Sequence, residues 1–276
     1  MQVELADTLT DRDLRALAQL VYARAGISLH EGKRALVTAR LQKRVRAVGF
    51  DNFGDYVRFV ETDATGDEVV ALLDAISTNH TSFYREPQHF ALLAATVAPG
   101  VGPAGLDVWS AACSSGEEPY TIAMTMADAL GADPAGSARI FASDLSTKVL
   151  QTARSGVYKL DRLEGLSRDV LKRHFEKGMG AQAGLARVQP HLQAAVTFER
   201  LNLIEIGDLG RRFDVIFCRN VMIYFDKPVQ QKVVSMLERH LKAGGWLFIS
   251  HSESLNGIEH DLQWVAPAVY RRKESR

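Results

Sequence analysis

The sequence predicts a doubly wound α/β domain behind a small all-α domain, and three observations carry that reading. Apolar residues recur at helical spacing from Thr10 to about Ile76. After Pro87 short apolar strands alternate with helices. One strand then turns into a helix through the small residues Ser110-Ala111-Ala112-Cys113-Ser114-Ser115-Gly116. The 276 residues exceed an average domain, and 46% hydrophobic with 24% charged residues is the balance of a soluble globular chain. Lys+Arg and Asp+Glu are equal at 33 each, which excludes a global basic field for nucleic acid and leaves any charge-driven recognition local. Cys113 and Cys218 lie far apart without metal-ligand spacing, so reduced thiols are expected rather than a disulfide framework. No basic leader with an apolar run follows Met1, and no stretch is long enough to span a bilayer; the expectation is a cytoplasmic protein with no membrane insertion.

The elements follow in order. Leu14, Leu17, Ala18 and Val21 share one helix face, as do Phe53, Tyr56, Val57 and Val60, and then Val69, Leu72, Leu73 and Ile76. Thr10 before Asp11-Arg12-Asp13 reads as an N-cap with an acidic first turn, and Gly26 and Gly49 sit where helices stop. Three to four short helices over 1–77 result. Residues 78–276 are expected to hold strands at Leu106–Trp109, Arg139–Ser143, Val196–Phe198, Phe213–Cys218, Trp246–Ser250 and Ala268–Arg271. An insertion over about 155–195 carries the glycine-rich Gly178–Gly184 and the strand-like Leu185–Val188, read as a hairpin outside the main sheet whose edge can accept an extended peptide.

The strand-to-helix turn is the most specific feature. Asp107-Val108-Trp109 is the strand, and Pro119, which has no N–H to lose, suits the first turn of a helix running to about Leu130. Dinucleotide folds place glycines here so that a pyrophosphate reaches free helix N–H groups. This turn has one glycine and the carboxylates of Glu117 and Glu118, which repel phosphate and favour a cationic, hydroxyl-rich ligand. S-adenosylmethionine has a sulfonium, an ammonium and a ribose diol and carries no phosphate. The plainer alternative is an acidic first turn that only complements the helix dipole. Asp144 ends the second strand at the position from which such folds hold ribose hydroxyls, with helix capping as its alternative role. Asn202 is placed to bond an adenine edge with Leu203 against the ring face, and a turn role is its alternative. Arg219 and Asn220 leave the apolar strand Phe213–Cys218 at the ligand edge, and Asn79-His80-Thr81-Ser82-Phe83-Tyr84-Arg85-Glu86 gathers hydrogen-bonding and aromatic groups between the two halves.

Lys33, Arg34, Arg40, Lys43, Arg44 and Arg46 lie in one helix with no acid between them, beside an apolar stripe of Val37, Leu41, Val45 and Val48. They form a candidate basic face for an acidic protein partner, whose contribution weakens as salt rises, or else a solvated surface. Aromatic residues are not interleaved, which argues against RNA. His251-Ser252-Glu253 is read as local hydrogen-bonding groups and no metal is expected. Trp246 and Trp264 are expected in the core, with Met124 and Met126 as helix packing.

Five blocks then carry a resemblance. Asn79 through Arg85, Trp109 through Tyr120, Ala142-Ser143-Asp144-Leu145-Ser146, Phe217 through Asp226 and Gly244 through Ser254 resemble the signature blocks of the CheR chemotaxis receptor methyltransferases, in order and over nearly the whole chain. The resemblance implies a Rossmann-like class I methyltransferase sheet with a small N-terminal helical domain and an inserted β-hairpin subdomain. It implies transfer of the methyl group of S-adenosylmethionine to glutamate carboxylates on receptor cytoplasmic helices, leaving S-adenosylhomocysteine. By the same resemblance Asn79, Thr81, Arg85, Glu117, Asp144, Asn202, Leu203, Arg219 and Asn220 match cofactor positions, and Arg85 and Tyr224 match the pair that handles the substrate carboxylate. The Gly178–Gly184 loop resembles that of members docking a receptor C-terminal pentapeptide. Tyr84 and Ser250 depart from the usual residues without removing a ligating group. Two other readings stay open: a methyltransferase acting on nucleic acid or a small molecule, disfavoured by Arg219-Asn220-Val221-Met222 where base methylators carry a proline-rich aromatic motif, and a catalytically silent adenosyl-sensing module.

Overall fold

A computed structural model describes residues 9–77, 79–102, 104–131, 136 and 138–274. The chain divides into two compact units, one of the residues up to 78 with Tyr224–Val229, the other of Asn79–Ile223 with Gln230–Arg276.

The first unit is helical: α1 (Asp11–Ala25), α2 (Arg34–Ala47), α3 (Phe53–Thr62) and α4 (Asp67–Ile76). Thr10 Oγ1 accepts from the Asp13 N–H at 3.2 Å and Asn52 Oδ1 from the Asp55 N–H at 2.8 Å, so both starts are capped by their own side chains. Gly26 ends α1 in the left-handed region at φ +68°, as its place in the sequence predicts. The stripes meet in a core of Leu14, Leu17, Val21, Leu41, Phe53, Tyr56 and Leu72. Within the same unit Ile27 pairs with Phe225 across an antiparallel bridge, the Ser28 N–H donates to the Tyr224 carbonyl at 3.0 Å, and Tyr22 Oη donates to Asp226 at 2.8 Å.

The second unit is built on a seven-stranded sheet. Its strands are β1 (Leu106–Ala111), β2 (Ala138–Asp144), β6 (Val196–Arg200), β7 (Phe213–Cys218), β8 (Leu241–Phe248), β9 (Gln263–Ala266) and β10 (Val269–Arg271), in the order β6-β2-β1-β7-β8-β10-β9. The first five run parallel, and β10 and β9 close the edge antiparallel. Parallel strands covered on both faces must be apolar throughout, and Val108, Ile140, Val215, Phe217 and Phe248 fill that core with Ile122, Met124 and Met126 of helix α6 (Glu117–Leu130). All six expected strands form. Strand β8 starts five residues early because Gly244, at φ +72°, lets the register against β7 slip. Strand β9 is an addition: its residues are exposed or half-buried, so it leaves no core pattern to read. Trp264 within it is 65% exposed, which corrects its assignment to the core, whereas Trp246 packs half-buried against the core.

The insertion forms a separate three-stranded sheet, β3 (Val157–Lys159), β5 (Leu185–Val188) and β4 (Phe175–Lys177) in that order. The expected hairpin is β4–β5, and β3 adds a third strand too short to show a period of two.

Between β1 and α6 the backbone coils through left-handed conformations at Ala112, Ser114 and Gly116, the last at φ +97°. A Cβ at Gly116 would stand 2.8 Å from Tyr158 Oη and 2.9 Å from Ala153 Cβ, so both backbone and space demand glycine. Gly116→Ala is expected to lower the unfolding free energy by about 1–3 kcal/mol in urea denaturation; an unchanged midpoint and slope would contradict this account of the turn.

Candidate functional site

The C-terminal ends of β1, β2 and β7 and the segment Asn79–Glu86 converge through buried carboxylates. Asp144, at the end of β2, accepts from the Ser114 N–H at 2.8 Å through Oδ2 and from the Ser146 N–H at 2.9 Å through Oδ1. It therefore binds the β1 turn to the β2 exit. Capping of α7 (Thr147–Ser155) falls to Ser146, whose Oγ accepts from the Val149 N–H, and not to Asp144. Asn79 joins the same turn, its carbonyl accepting from Ser114 Oγ at 3.0 Å. The Leu201 N–H donates to the Asp144 carbonyl at 3.0 Å, bringing the β6 exit alongside. There Asn202 Oδ1 accepts from the Ile204 N–H at 3.3 Å and Leu203 is buried.

The two carboxylates that open α6 have different partners. Glu117 is fully buried, accepting from Ser115 Oγ at 2.7 Å and pairing with the guanidinium of Arg162, which also donates to Ser115 Oγ at 3.0 Å. Glu118 accepts from Ser110 Oγ at 2.7 Å and from Arg219 Nη1 at 2.9 Å. Burial pushes the Glu118 carboxyl above its ordinary pKa, against the pull of Arg219. Arg219 is buried and spends its other nitrogen Nη2 on the Arg85 carbonyl and on Glu86 at 3.2 Å. Asn220 follows in the left-handed region at φ +59°, donating from Nδ2 to Ser250 Oγ at 2.6 Å. Arg85 is half-buried with Nη1 on the His80 carbonyl at 2.8 Å, and Thr81 is half-buried nearby in sequence.

Arg162 is the site residue that sequence reasoning missed. It pairs across 45 residues from a 3-10 turn (Leu160–Leu163) in the insertion, and the one available signal was the adjacent acids Glu117-Glu118 with no local cation. Glu86, Glu117 and Glu118 share two guanidiniums, Arg162 and Arg219, and Asp144 adds a further carboxylate. This acidic rim, with side-chain oxygens where a phosphate loop would present glycine N–H groups, fits a cationic adenosyl group and its ribose diol.

Other expected residues belong to the first unit. Tyr224 belongs to the first unit, where Lys33 Nζ stands 5.8 Å from its ring centroid. The basic face of α2 is not uniformly free, which corrects the reading of six steering charges. Arg34 pairs with Asp11 and Glu31, Arg44 is held bidentate by buried Glu68, and Arg40 donates to the Ile76 carbonyl. The acids come from other helices and turns, so an acid-free stretch of sequence did not reveal them. Lys43 and Arg46 remain exposed.

Glu253 accepts from the Ser250 and Met222 N–H groups, both at 2.8 Å, as a local hydrogen-bonding group. The ligand atoms of Glu86, His89 and His251 lie within 4.8 Å of one another. The two imidazoles stack 4.7 Å apart and 10° from parallel, so their in-plane lone pairs do not converge, and Arg219 supplies the positive charge beside Glu86. Glu86 and His251 are hydrogen-bonded beside the Arg219 guanidinium, and His89 stacks on His251.

Two family models cover the chain. Residues 12–77 match the all-alpha domain of CheR methyltransferase, and residues 79–270 match its SAM-binding domain. Chemotaxis protein methyltransferase of Klebsiella aerogenes is 44% identical over 263 residues, spanning 95% of this chain and 90% of that protein. The protein of the same name from Escherichia coli K12 is 43% identical, over 95% of this chain and 91% of its own length. The fold and the family match are those of an S-adenosylmethionine-dependent methyltransferase. The chain belongs to the CheR methyltransferase family.

His89 gives the site a measurable acid signature. Burial, then the charge of Arg219, lowers its pKa to about 4. Between pH 6.5 and 4 the unfolded chain binds a proton that the folded chain refuses, so the folded state loses stability as pH falls through that window and gains nothing further above it. The contribution is on the order of 3 kcal/mol at most. His89→Gln is expected to flatten the stability slope between pH 7 and 4.5 in urea denaturation, and a slope identical to wild type would contradict the buried neutral imidazole.

Proposed function

We propose that this chain transfers the methyl group of S-adenosylmethionine to glutamate side chains of chemotaxis receptors, forming methyl esters in the cytoplasm. Membership of the CheR family supports the reaction class, and the observation that carries the reading to this chain is the pair of buried carboxylates, Glu117 and Asp144, beyond the ends of β1 and β2. When bound, S-adenosylmethionine supplies a methyl group made electrophilic by a positive sulfur.

The residues' tasks follow from their chemistry. Asp144 accepts from ribose hydroxyls while its own backbone-bonded carboxylate stays fixed. Glu117 sets negative charge beneath the cation, Asn202 offers its amide to the adenine edge and Leu203 packs on it. Asn79, Thr81, Arg85 and Asn220 complete the polar lining. Arg219 acts through the groups it holds, because both of its Nη nitrogens are committed to Glu118, Glu86 and the Arg85 carbonyl.

The acceptor needs no general base, since a glutamate with a pKa of about 4.3 is already ionised at neutral pH. The protein's work is alignment, which supplies about 7–11 kcal/mol in favourable systems. Arg85 offers a planar fork to the substrate carboxylate, and Tyr224 is assigned a single directional donor by the family resemblance. The partners are acidic receptor helices, with Lys43 and Arg46 as exposed charges toward them. The β4–β5 hairpin, whose Met179 is 85% exposed, is the candidate dock for a receptor C-terminal pentapeptide.

The test is methyl incorporation from labelled S-adenosylmethionine into receptor-bearing membranes. Label released by mild base is expected, and a base-stable label or none would overturn the reading. Asp144→Ala is expected to weaken S-adenosylhomocysteine binding by roughly tenfold or more in calorimetry, and an unchanged affinity would remove Asp144 from the site.

A further inference from the structure

Glu86 stands where no glutamate is needed for the backbone. It precedes α5 (Pro87–Leu92) at φ +58°, a left-handed conformation that disfavours any side chain, and its carboxylate does not cap that helix. The side chain turns instead toward the rim with both oxygens occupied. Oε1 accepts from Ser250 Oγ at 2.7 Å. Oε2 accepts from His251 Nδ1 at 2.9 Å and from the His251 N–H at 3.3 Å, and pairs with Arg219 at 3.2 Å.

Ser250 makes this arrangement directional. Its one hydroxyl proton goes to the carboxylate, so toward Asn220 it can only accept, and it does so from Nδ2 at 2.6 Å. The relay Asn220→Ser250→Glu86 therefore fixes which end of the Asn220 amide is spent on the protein and leaves Oδ1 as the acceptor. Through its other oxygen Glu86 holds Arg219, whose Nη2 also carries the Arg85 carbonyl. Burial alone would raise the Glu86 pKa, but the Ser250 hydrogen bond, the charge of Arg219 and the His251 contact hold it down to about 2. The carboxylate stays ionised at any working pH, so the relay keeps one direction.

We infer that Glu86 is a positioning residue for the methyl-donor site, orienting the Asn220 amide through Ser250 and fixing Arg219 and the Arg85 peptide through its second oxygen. The inference rests on the proposed reading that Arg85, Arg219 and Asn220 border the donor. A glutamine at 86 keeps the shape but must turn an N–H toward Arg219 or Ser250, which places donor against donor.

Calorimetry of the full-length chain with S-adenosylhomocysteine tests this, with thermal melts of each variant alongside. Glu86→Gln is expected to weaken binding by roughly tenfold while the stoichiometry of the folded protein stays at one. Ser250→Ala, which cuts the relay at its middle without touching the charge, is expected to weaken it similarly, and the double variant to be far less than additive because both act through one relay. A purely structural role would lower the melting temperature and the stoichiometry yet leave the affinity of the folded fraction unchanged, and that result would overturn the inference. If Asp144→Ala loses affinity while Glu86→Gln and Ser250→Ala keep it, this inference falls and the site assignment stands. If Asp144→Ala also binds as wild type, the site assignment itself falls.

Discussion

The arrangement at the sheet's ligand edge depends on one buried guanidinium. Arg219 leaves β7 into an interior where an unpaired charge would be costly, and it is tolerated because Glu118, Glu86 and the Arg85 carbonyl surround it. Those three partners come from the first turn of α6 and from the segment before α5, so a single cation joins three stretches of chain distant in sequence. Removing either carboxylate would leave a buried charge short of its partner, which is why such a group organises geometry more than it adds net stability.

Around that centre stand further carboxylates. Glu117 is paired with Arg162 from the insertion, Asp144 is held by two backbone N–H groups, and both carboxylates face the helix start and strand end where related folds place a phosphate. A helix N-terminus welcomes negative charge, so Glu117 and Glu118 are stable there while they close the position to another anion. On the proposed reading, the rim takes cations and hydroxyls. This is the physical link between Ser110–Glu118 and a sulfonium methyl carrier.

Much of this was legible in the sequence, for identifiable reasons. Strand β7 announced itself because a central parallel strand must be apolar on both faces, and the β1 turn because small residues ending in one glycine and two acids are chemically unusual. The four N-terminal helices followed from their stripes and from the Thr10 cap and Gly26 stop. What stayed hidden were partners separated by long stretches of chain. Arg162 is 45 residues from Glu117, Ser250 is 164 from Glu86, and Glu68 reaches Arg44 from another helix. Strand β9 was hidden for the opposite reason, since an exposed edge strand with Trp264 turned outward buries too little to leave a pattern.

The central claim is that carboxylates select the ligand by charge. Its most direct test is a parallel calorimetric titration of the full-length chain with S-adenosylhomocysteine and with adenosine 5′-diphosphate, which share the adenosine but differ in what the turn must face. Saturable heat is expected from S-adenosylhomocysteine and none from the diphosphate at the same concentrations. Equal binding of the diphosphate would contradict the account.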